Sequence, residues 1–186
     1  MSDRPVIALD FDGVLNVFPL GTPPAGFTTH QIDISHDQWP ASPFLEPHPG
    51  PGRPFAATVI VNASRDRQTV EGWLAAGVEV VWATLWQEAA AAVLNPLFGF
   101  DLPVAVSTTM TPPRWGEIDD PIGWKTRVLD DRFPGRAKLL LDDNANPGRH
   151  ALHGRGSQVI RVDPRRGLDP QRILPRVNAW IAANVR

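Results

Sequence analysis

The chain has 186 residues and carries 18 basic and 20 acidic side chains, which gives a formal net charge of −2. Apolar residues make up 42% and charged residues 20% of the sequence, globular values that exclude a disordered or collagen-like chain. The small net charge argues against bulk attraction to nucleic acid or anionic membranes, and the lack of cysteine excludes disulfides and zinc–thiolate sites. Because no apolar run reaches the roughly 18 residues of a membrane helix, we expect a cytoplasmic protein without a membrane partner, folded as one domain over residues 1–186.

The first predicted element is a strand over Val6–Leu9, a short apolar run of the kind that is buried on both faces of a parallel sheet. It ends in an Asp-Phe-Asp-Gly sequence at residues 10–13. The following segment, residues 16–57, is rich in proline, so no long helix fits there. We predict a flap-like insertion in this segment, with Gln31–Ser35 and Phe55–Val61 as the strands of a hairpin.

Beyond this insertion, helical and strand patterns alternate regularly. The predicted helices cover Arg67–Ala76, Trp86–Leu94, Gly123–Arg132 and Pro170–Asn184. The predicted strands cover Val78–Ala83, Leu102–Val106, Ala137–Leu141 and Gln158–Val162. Strands that alternate with helices of about ten residues are typical of parallel βαβ units with right-handed crossovers. The sequence therefore predicts an α/β fold, a three-layer Rossmann-like parallel sheet with helices on both faces.

Carboxylates follow two of these strands, at the sheet edge where open α/β folds bind their ligands. Asp10 and Asp12 are two residues apart in extended chain, so their side chains point to the same side. Paired carboxylates repel each other, and a hard divalent cation such as Mg²⁺ resolves this repulsion. Asp142 and Asp143 follow the strand Ala137–Leu141 and would complete the acidic set. Taken alone, an Asp-x-Asp sequence is as readily a solvated turn or a helix cap.

Two further polar residues fit the same edge. The hydroxyl of Thr84, together with backbone N–H groups at the start of the next helix, could hold an anion, although an N-cap threonine is the commoner reading. Lys125 offers a point charge for a phosphate or a carboxylate, although an exposed lysine near a helix start is the commoner reading. Trp86 and Trp124 flank this edge and could stack on a base or sugar, or simply pack at its rim.

In their order along the chain, these residues resemble the four motifs of the haloacid dehalogenase (HAD) superfamily of phosphohydrolases. Asp-x-Asp follows the first strand, Thr84 and Lys125 come next, and Asp-Asp follows a later strand, so that the resemblance spans residues 6–144. The stretch Trp-Ala-Thr-Leu-Trp at residues 82–86 and the step Trp124-Lys125-Thr126 are also similar to HAD domains associated with RNA-repair proteins.

The resemblance implies a role for each matching residue. Asp10 would be the nucleophile that forms an aspartyl-phosphate, which splits one difficult displacement into two easier ones. Asp12 would be the general acid for the leaving oxygen and then the base for the attacking water. Thr84 and Lys125 would neutralise charge on the phosphoryl oxygens.

The resemblance also implies Mg²⁺ as the cofactor and a phosphorylated substrate. The implied metal ligands are Asp10, Asp12 (through its carbonyl oxygen), Asp142 and Asp143. The implied substrate-binding residues are Thr84, Leu85, Trp86, Trp124 and Lys125. HAD enzymes often carry a cap domain, but the intervals between the motifs are too short for a large one, so we expect a small flap over an open site. An open site suits a nucleic-acid end, and it suits a small molecule if a second subunit supplies the lid.

The leading prediction is therefore a Mg²⁺-dependent phosphatase acting on a phosphate monoester. A non-catalytic phosphate- or nucleic-acid-binding module on the same fold is the main alternative, although such a module needs no pair like Asp10 and Asp12. A phospho-accepting receiver domain is disfavoured by the order of the motifs. In receiver domains the acidic pair precedes the lysine along the chain, whereas here Asp142 and Asp143 follow Lys125. A nucleotide-sugar transferase would use Asp-x-Asp for its metal but would leave Thr84 and Lys125 unexplained.

Overall fold

The computed structural model describes residues 3–35 and 55–185, so that residues 36–54 of the predicted insertion lie outside the described residues. The strands are β1 (Val6–Leu9), β2 (Thr28–Ile34), β3 (Phe55–Val61), β4 (Glu79–Trp82), β5 (Lys138–Asp142) and β6 (Gln158–Arg161). The helices are α1 (Ala63–Ala75), α2 (Asn95–Phe98), α3 (Pro121–Arg132) and α4 (Leu174–Asn184). The predicted α/β class is confirmed.

A parallel sheet with the strand order β4-β1-β5-β6 forms the centre of the fold. β1 has a neighbour on each side, which explains why its sequence is apolar at every position. Leu9 lies opposite Trp82 of β4 and opposite Leu141 of β5. This register brings the carboxyl ends of three strands to one level. Asp10 directly follows β1 at that level, and Asp142 is the last residue of β5.

Successive residues of β1 belong to two different hydrophobic clusters because side chains alternate along a strand. Ile7 and Leu9 pack in a cluster that includes side chains of α1 and α4. Val6 and Ala8 pack in a second cluster that includes side chains of α3. The two clusters pack against the sheet, and the polar residues lie at the edge formed by the carboxyl ends of its strands.

The predicted hairpin is present. β2 and β3 pair in antiparallel fashion from Thr28 opposite Val61 to Ile34 opposite Phe55. The backbone N–H of Val17 donates to the carbonyl of Ile60 at 2.9 Å. The hairpin is therefore tied directly to the segment that follows β1.

Two of the predicted elements differ from the structure. Leu102–Val106 is not a strand but makes a single bridge, between Val104 and Trp82, because Pro103 lacks the N–H that a ladder requires. The predicted helix Trp86–Leu94 is interrupted by the left-handed backbone of Gln87 (φ 50°). A π-helical turn at Ala90–Leu94 then runs directly into α2.

The first and the last helix also begin at residues other than those predicted. α1 begins at Ala63, earlier than the predicted Arg67, because the side chain of Asn62 caps it by accepting the N–H of Arg65. α4 begins at Leu174 rather than at Pro170, since the preceding residues form turns around the carbonyl of Asp169. None of the helices in residues 3–35 and 55–185 has the length and apolar character needed to cross a bilayer.

Candidate active site

The centre of the candidate site is a buried ion-pair triad that joins β1, α3 and β5. The ammonium of Lys125 donates to Oδ2 of Asp10 and to Oδ2 of Asp142, both at 2.8 Å. Lys125 is 1% exposed and Asp142 is fully buried. The backbone N–H of Phe11 donates to the other oxygen of Asp10 at 2.8 Å. Lys125 is thus not an exposed lysine near a helix start, because it neutralises two carboxylates inside the protein.

Burial and charge act in opposite directions within the triad. Burial raises the pKa of Asp10 well above its usual value, against the attraction of Lys125. Burial is also the largest influence on Asp142 and opposes its ionisation, but the charge of Lys125 and the hydrogen bonds of this carboxyl together lower its pKa. Burial alone would lower the pKa of Lys125, yet the charges of Asp10 and Asp142 raise it. The lysine is therefore charged at neutral pH, and its charge is stabilised by both neighbouring carboxylates.

A third carboxylate completes an acidic cluster. Asp10, Asp142 and Asp143 each offer one oxygen, and these three oxygens lie within 4.8 Å of one another. Burial, followed by the charge of Asp142, raises the pKa of Asp143 to about 6. The cluster could hold a metal ion, because carboxylate oxygens suit hard divalent cations.

Gly13 makes room for this cluster. Its φ of +73° lies in the left-handed region, and a Cβ atom built on it would lie 2.3 Å from Cγ of Asp143. Only glycine combines this backbone conformation with so close an approach. The chain therefore turns sharply after the Asp-x-Asp sequence, and Asp143 lies against this turn.

The carboxylate of Asp12 lies in different surroundings, with a hydrogen-bond donor on each oxygen. Nδ2 of Asn16 donates to its Oδ1 at 2.7 Å, and the indole N–H of Trp86 donates to its Oδ2 at 2.8 Å. The acidic cluster that could hold a metal does not include the Asp12 carboxylate. The metal contact implied for Asp12 is through its carbonyl oxygen, so a carboxylate outside the cluster does not conflict with that expectation.

Thr84 lies at the same edge, immediately after the end of β4. The N–H of Ala83 donates to the carbonyl of Leu9 at 2.7 Å, which holds this segment beside β1. Thr84 is 1% exposed, and its hydroxyl oxygen accepts the N–H of Trp86 at 3.3 Å. Leu85 is partly exposed between these two buried residues.

Comparisons of the chain with protein-family models, with curated proteins and with solved structures find no match. The function of the chain is therefore inferred from the arrangement of these side chains.

The second flanking tryptophan does not face the site. Trp124 is fully buried in the cluster that packs against α3, and its indole N–H donates to the carbonyl of Thr111 at 2.9 Å. Its ring presents no surface on which a base or a sugar could stack. The predicted substrate contact of Trp124 is therefore corrected to a packing role, which positions the segment that leads into α3.

Two residues at the site were not predicted from the sequence. Asn16 contacts Asp12, and the available signal was a lone polar residue in the apolar run from Val14 to Val17. Gln87 is fully buried, and its Oε1 accepts both the N–H and the hydroxyl of Thr108. It thereby fixes the loop after Thr84 against a second loop, but an isolated glutamine gives no such signal in the sequence.

Proposed function

We propose that the chain is a Mg²⁺-dependent phosphatase of the HAD type, which hydrolyses a phosphate monoester through an aspartyl-phosphate on Asp10. The observation that carries this proposal is the buried lysine bonded to carboxylates at the ends of two neighbouring strands. Asp142 and Asp143 complete the acidic cluster at the same edge. A three-layer Rossmann-like domain without a large cap belongs to the same proposal, and helices packed in both hydrophobic clusters support it.

The reaction takes place in two displacements. In the first, a carboxylate oxygen of Asp10 attacks phosphorus, the bond from phosphorus to the leaving oxygen breaks, and Asp12 gives that oxygen a proton. In the second, water attacks the phosphorus of the aspartyl-phosphate and gives a proton to Asp12. The bond from phosphorus to Asp10 breaks, so inorganic phosphate leaves and both carboxylates return to their starting states.

The donor set fits a divalent cation. With all groups ionised, the three clustered carboxylates and Lys125 carry a net charge of −2, which a divalent cation balances. When bound, Mg²⁺ would supply a positive charge that neutralises the phosphoryl oxygens as charge develops on them. Asp10, Asp142 and Asp143 would hold it.

A nucleophile variant tests the proposal. With Mg²⁺ present, the protein is expected to release phosphate from p-nitrophenyl phosphate, and Asp10→Asn is expected to lower the rate on the order of 10³-fold or more. Asp66→Asn is the matched control, because Asp66 is also buried and also paired with a cation, Arg65, but lies in α1 outside the acidic cluster. This control is expected to keep the wild-type rate.

The substrate is sought with the same wild-type protein and control. A panel of 5′- and 3′-phosphorylated oligonucleotides, mononucleotides, sugar phosphates and phosphopeptides covers both the macromolecular and the small-molecule classes. Undiminished phosphate release by Asp10→Asn would refute the mechanism. Binding of Mg²⁺ without turnover of any of these compounds would favour the non-catalytic binding module.

A further inference from the structure

Both oxygens of the Asp12 carboxylate are held by donors from different parts of the chain, Asn16 four residues later and Trp86 from the loop after β4. We infer that Asn16 and Trp86 are positioning residues that fix the acid–base carboxylate of Asp12 towards the leaving group of the substrate. This inference rests on the proposed phosphatase function. It gives Trp86 a role in orienting Asp12 instead of stacking on substrate, and it adds Asn16, which no motif of the sequence assigns.

Asn16 is held in one orientation by the hairpin. Its Oδ1 accepts the backbone N–H of Ile60 in β3 at 2.8 Å. Because that N–H can only donate, the amide oxygen must face β3 and the NH₂ group must face Asp12. Asn16 is 4% exposed, so water offers little competition for these bonds. The hairpin therefore ensures that the NH₂ group of Asn16, and not its amide oxygen, faces Asp12.

Trp86 is held equally firmly. The residue is 5% exposed, and its ring makes an edge contact with Phe11, with ring centroids 5.1 Å apart. Its backbone N–H donates to the hydroxyl of Thr84 while its indole N–H donates to Asp12. One rigid residue thus sets the distance between the proposed acid–base group and the proposed phosphoryl-binding hydroxyl.

The chemical consequence depends on the leaving group. An alkoxide is a poor leaving group that requires a proton as the bond to phosphorus breaks, whereas p-nitrophenolate leaves without one. General acid catalysis by a positioned side chain contributes about 10²–10⁴-fold. Loss of a donor that orients Asp12 should therefore slow the hydrolysis of alkyl phosphates much more than that of p-nitrophenyl phosphate. A residue needed only for packing should slow both reactions equally.

Trp86→Phe removes the indole N–H and retains an aromatic ring against Phe11. The matched control is Trp82→Phe, because Trp82 also packs edge-on against Phe11 and donates its indole N–H at 2.8 Å, but to Asn95 outside the site. Asn16→Ala is the second test variant and removes the other donor.

The test compares kcat/KM for glycerol phosphate and for p-nitrophenyl phosphate with each protein, because this quantity reports the steps up to release of the leaving group and not the second displacement, which is common to both esters. Trp86→Phe and Asn16→Ala are each expected to lower kcat/KM about 10–100-fold with the alkyl ester and less than about threefold with the aryl ester. Trp82→Phe is expected to leave the ratio of the two rates at its wild-type value. Equal losses on both esters in Trp86→Phe and Asn16→Ala would overturn the positioning role.

The two hypotheses fail in different ways. If the wild-type protein hydrolyses neither ester, the proposed function is wrong and the positioning role is overturned with it. If the wild-type protein is active and Asp10→Asn is not, the function stands, and an unchanged rate ratio in both test variants overturns the positioning role alone.

Discussion

Lys125→Met is the perturbation that tests the electrostatics of the site most directly. Methionine keeps much of the length of the lysine side chain but removes the ammonium that lies 2.8 Å from both Asp10 and Asp142. The two carboxylates then remain buried without a compensating charge. Removal of one partner from a buried ion pair typically destabilises a protein by about 3–5 kcal/mol. We expect a loss of this size in the free energy of unfolding without divalent cations.

Added Mg²⁺ should restore much of this loss. Without Lys125, the clustered carboxylates carry a larger negative charge, so a divalent cation can take the place of the missing ammonium. Binding to the folded state alone adds about 2.7 kcal/mol when the free ligand is at 100 times its Kd. The assay is urea unfolding at pH 7, first with EDTA and then over a series of Mg²⁺ concentrations.

Lys138→Met is the matched control. Lys138 is also 1% exposed, and its ammonium lies 3.0 Å from Asp130 and donates to the carbonyl of Phe133 at 3.0 Å. It is the other lysine of the chain, and it lies at the opposite end of β5 from the acidic cluster. We expect Lys138→Met to lose stability without a special gain from Mg²⁺. Equal Mg²⁺ gains in the two variants, or wild-type stability of Lys125→Met in EDTA, would refute the reasoning.

Two further predictions concern stability. Burial raises the pKa of Asp66 to about 6 against the opposing charge of Arg65. The folded state therefore binds a proton at Asp66 more tightly than the unfolded chain does. The ionised carboxylate destabilises the folded state above pH 6, and this destabilisation disappears as the pH falls towards 4. Asp66→Asn is therefore expected to raise the free energy of unfolding by about 1–3 kcal/mol at pH 7 and by much less at pH 4, measured by urea unfolding. Gly13→Ala is expected to destabilise the protein by about 1–3 kcal/mol more than Gly116→Ala. Both glycines have a positive φ, but only Gly13 lies against Asp143. For the same reason, Gly13→Ala is expected to weaken Mg²⁺ binding measured by calorimetry.

Each of these two stability predictions would be contradicted by a specific result. A constant stability difference between Asp66→Asn and wild type from pH 4 to pH 7 would show that Asp66 does not titrate as described. Equal destabilisation by the two glycine variants would show that backbone strain alone, and not the approach to Asp143, accounts for the loss of stability in Gly13→Ala.

Local patterns in the sequence were sufficient for much of the fold. The continuous apolar run of β1 predicted a central strand, and the structure places that strand between two parallel neighbours. The strand at Leu102–Val106 was predicted for the same reason, but Pro103 limits its pairing to one bridge. Apolar patterning reports burial, and it does not report whether a partner strand can complete the hydrogen bonds.

The sequence by itself determined which residues carry charge at the ends of strands, since Asp10 and Asp142 directly follow apolar runs. Only the tertiary structure decided what these groups meet. Lys125 lies 115 residues from Asp10 in the chain, and Trp86 lies 74 residues from Asp12. Such contacts follow from strand order and register, which depend on the packing of the whole sheet. The same packing buried Trp124 in the core and directed the indole N–H of Trp86 to the carboxylate of Asp12, although the sequence predicted substrate contact for both.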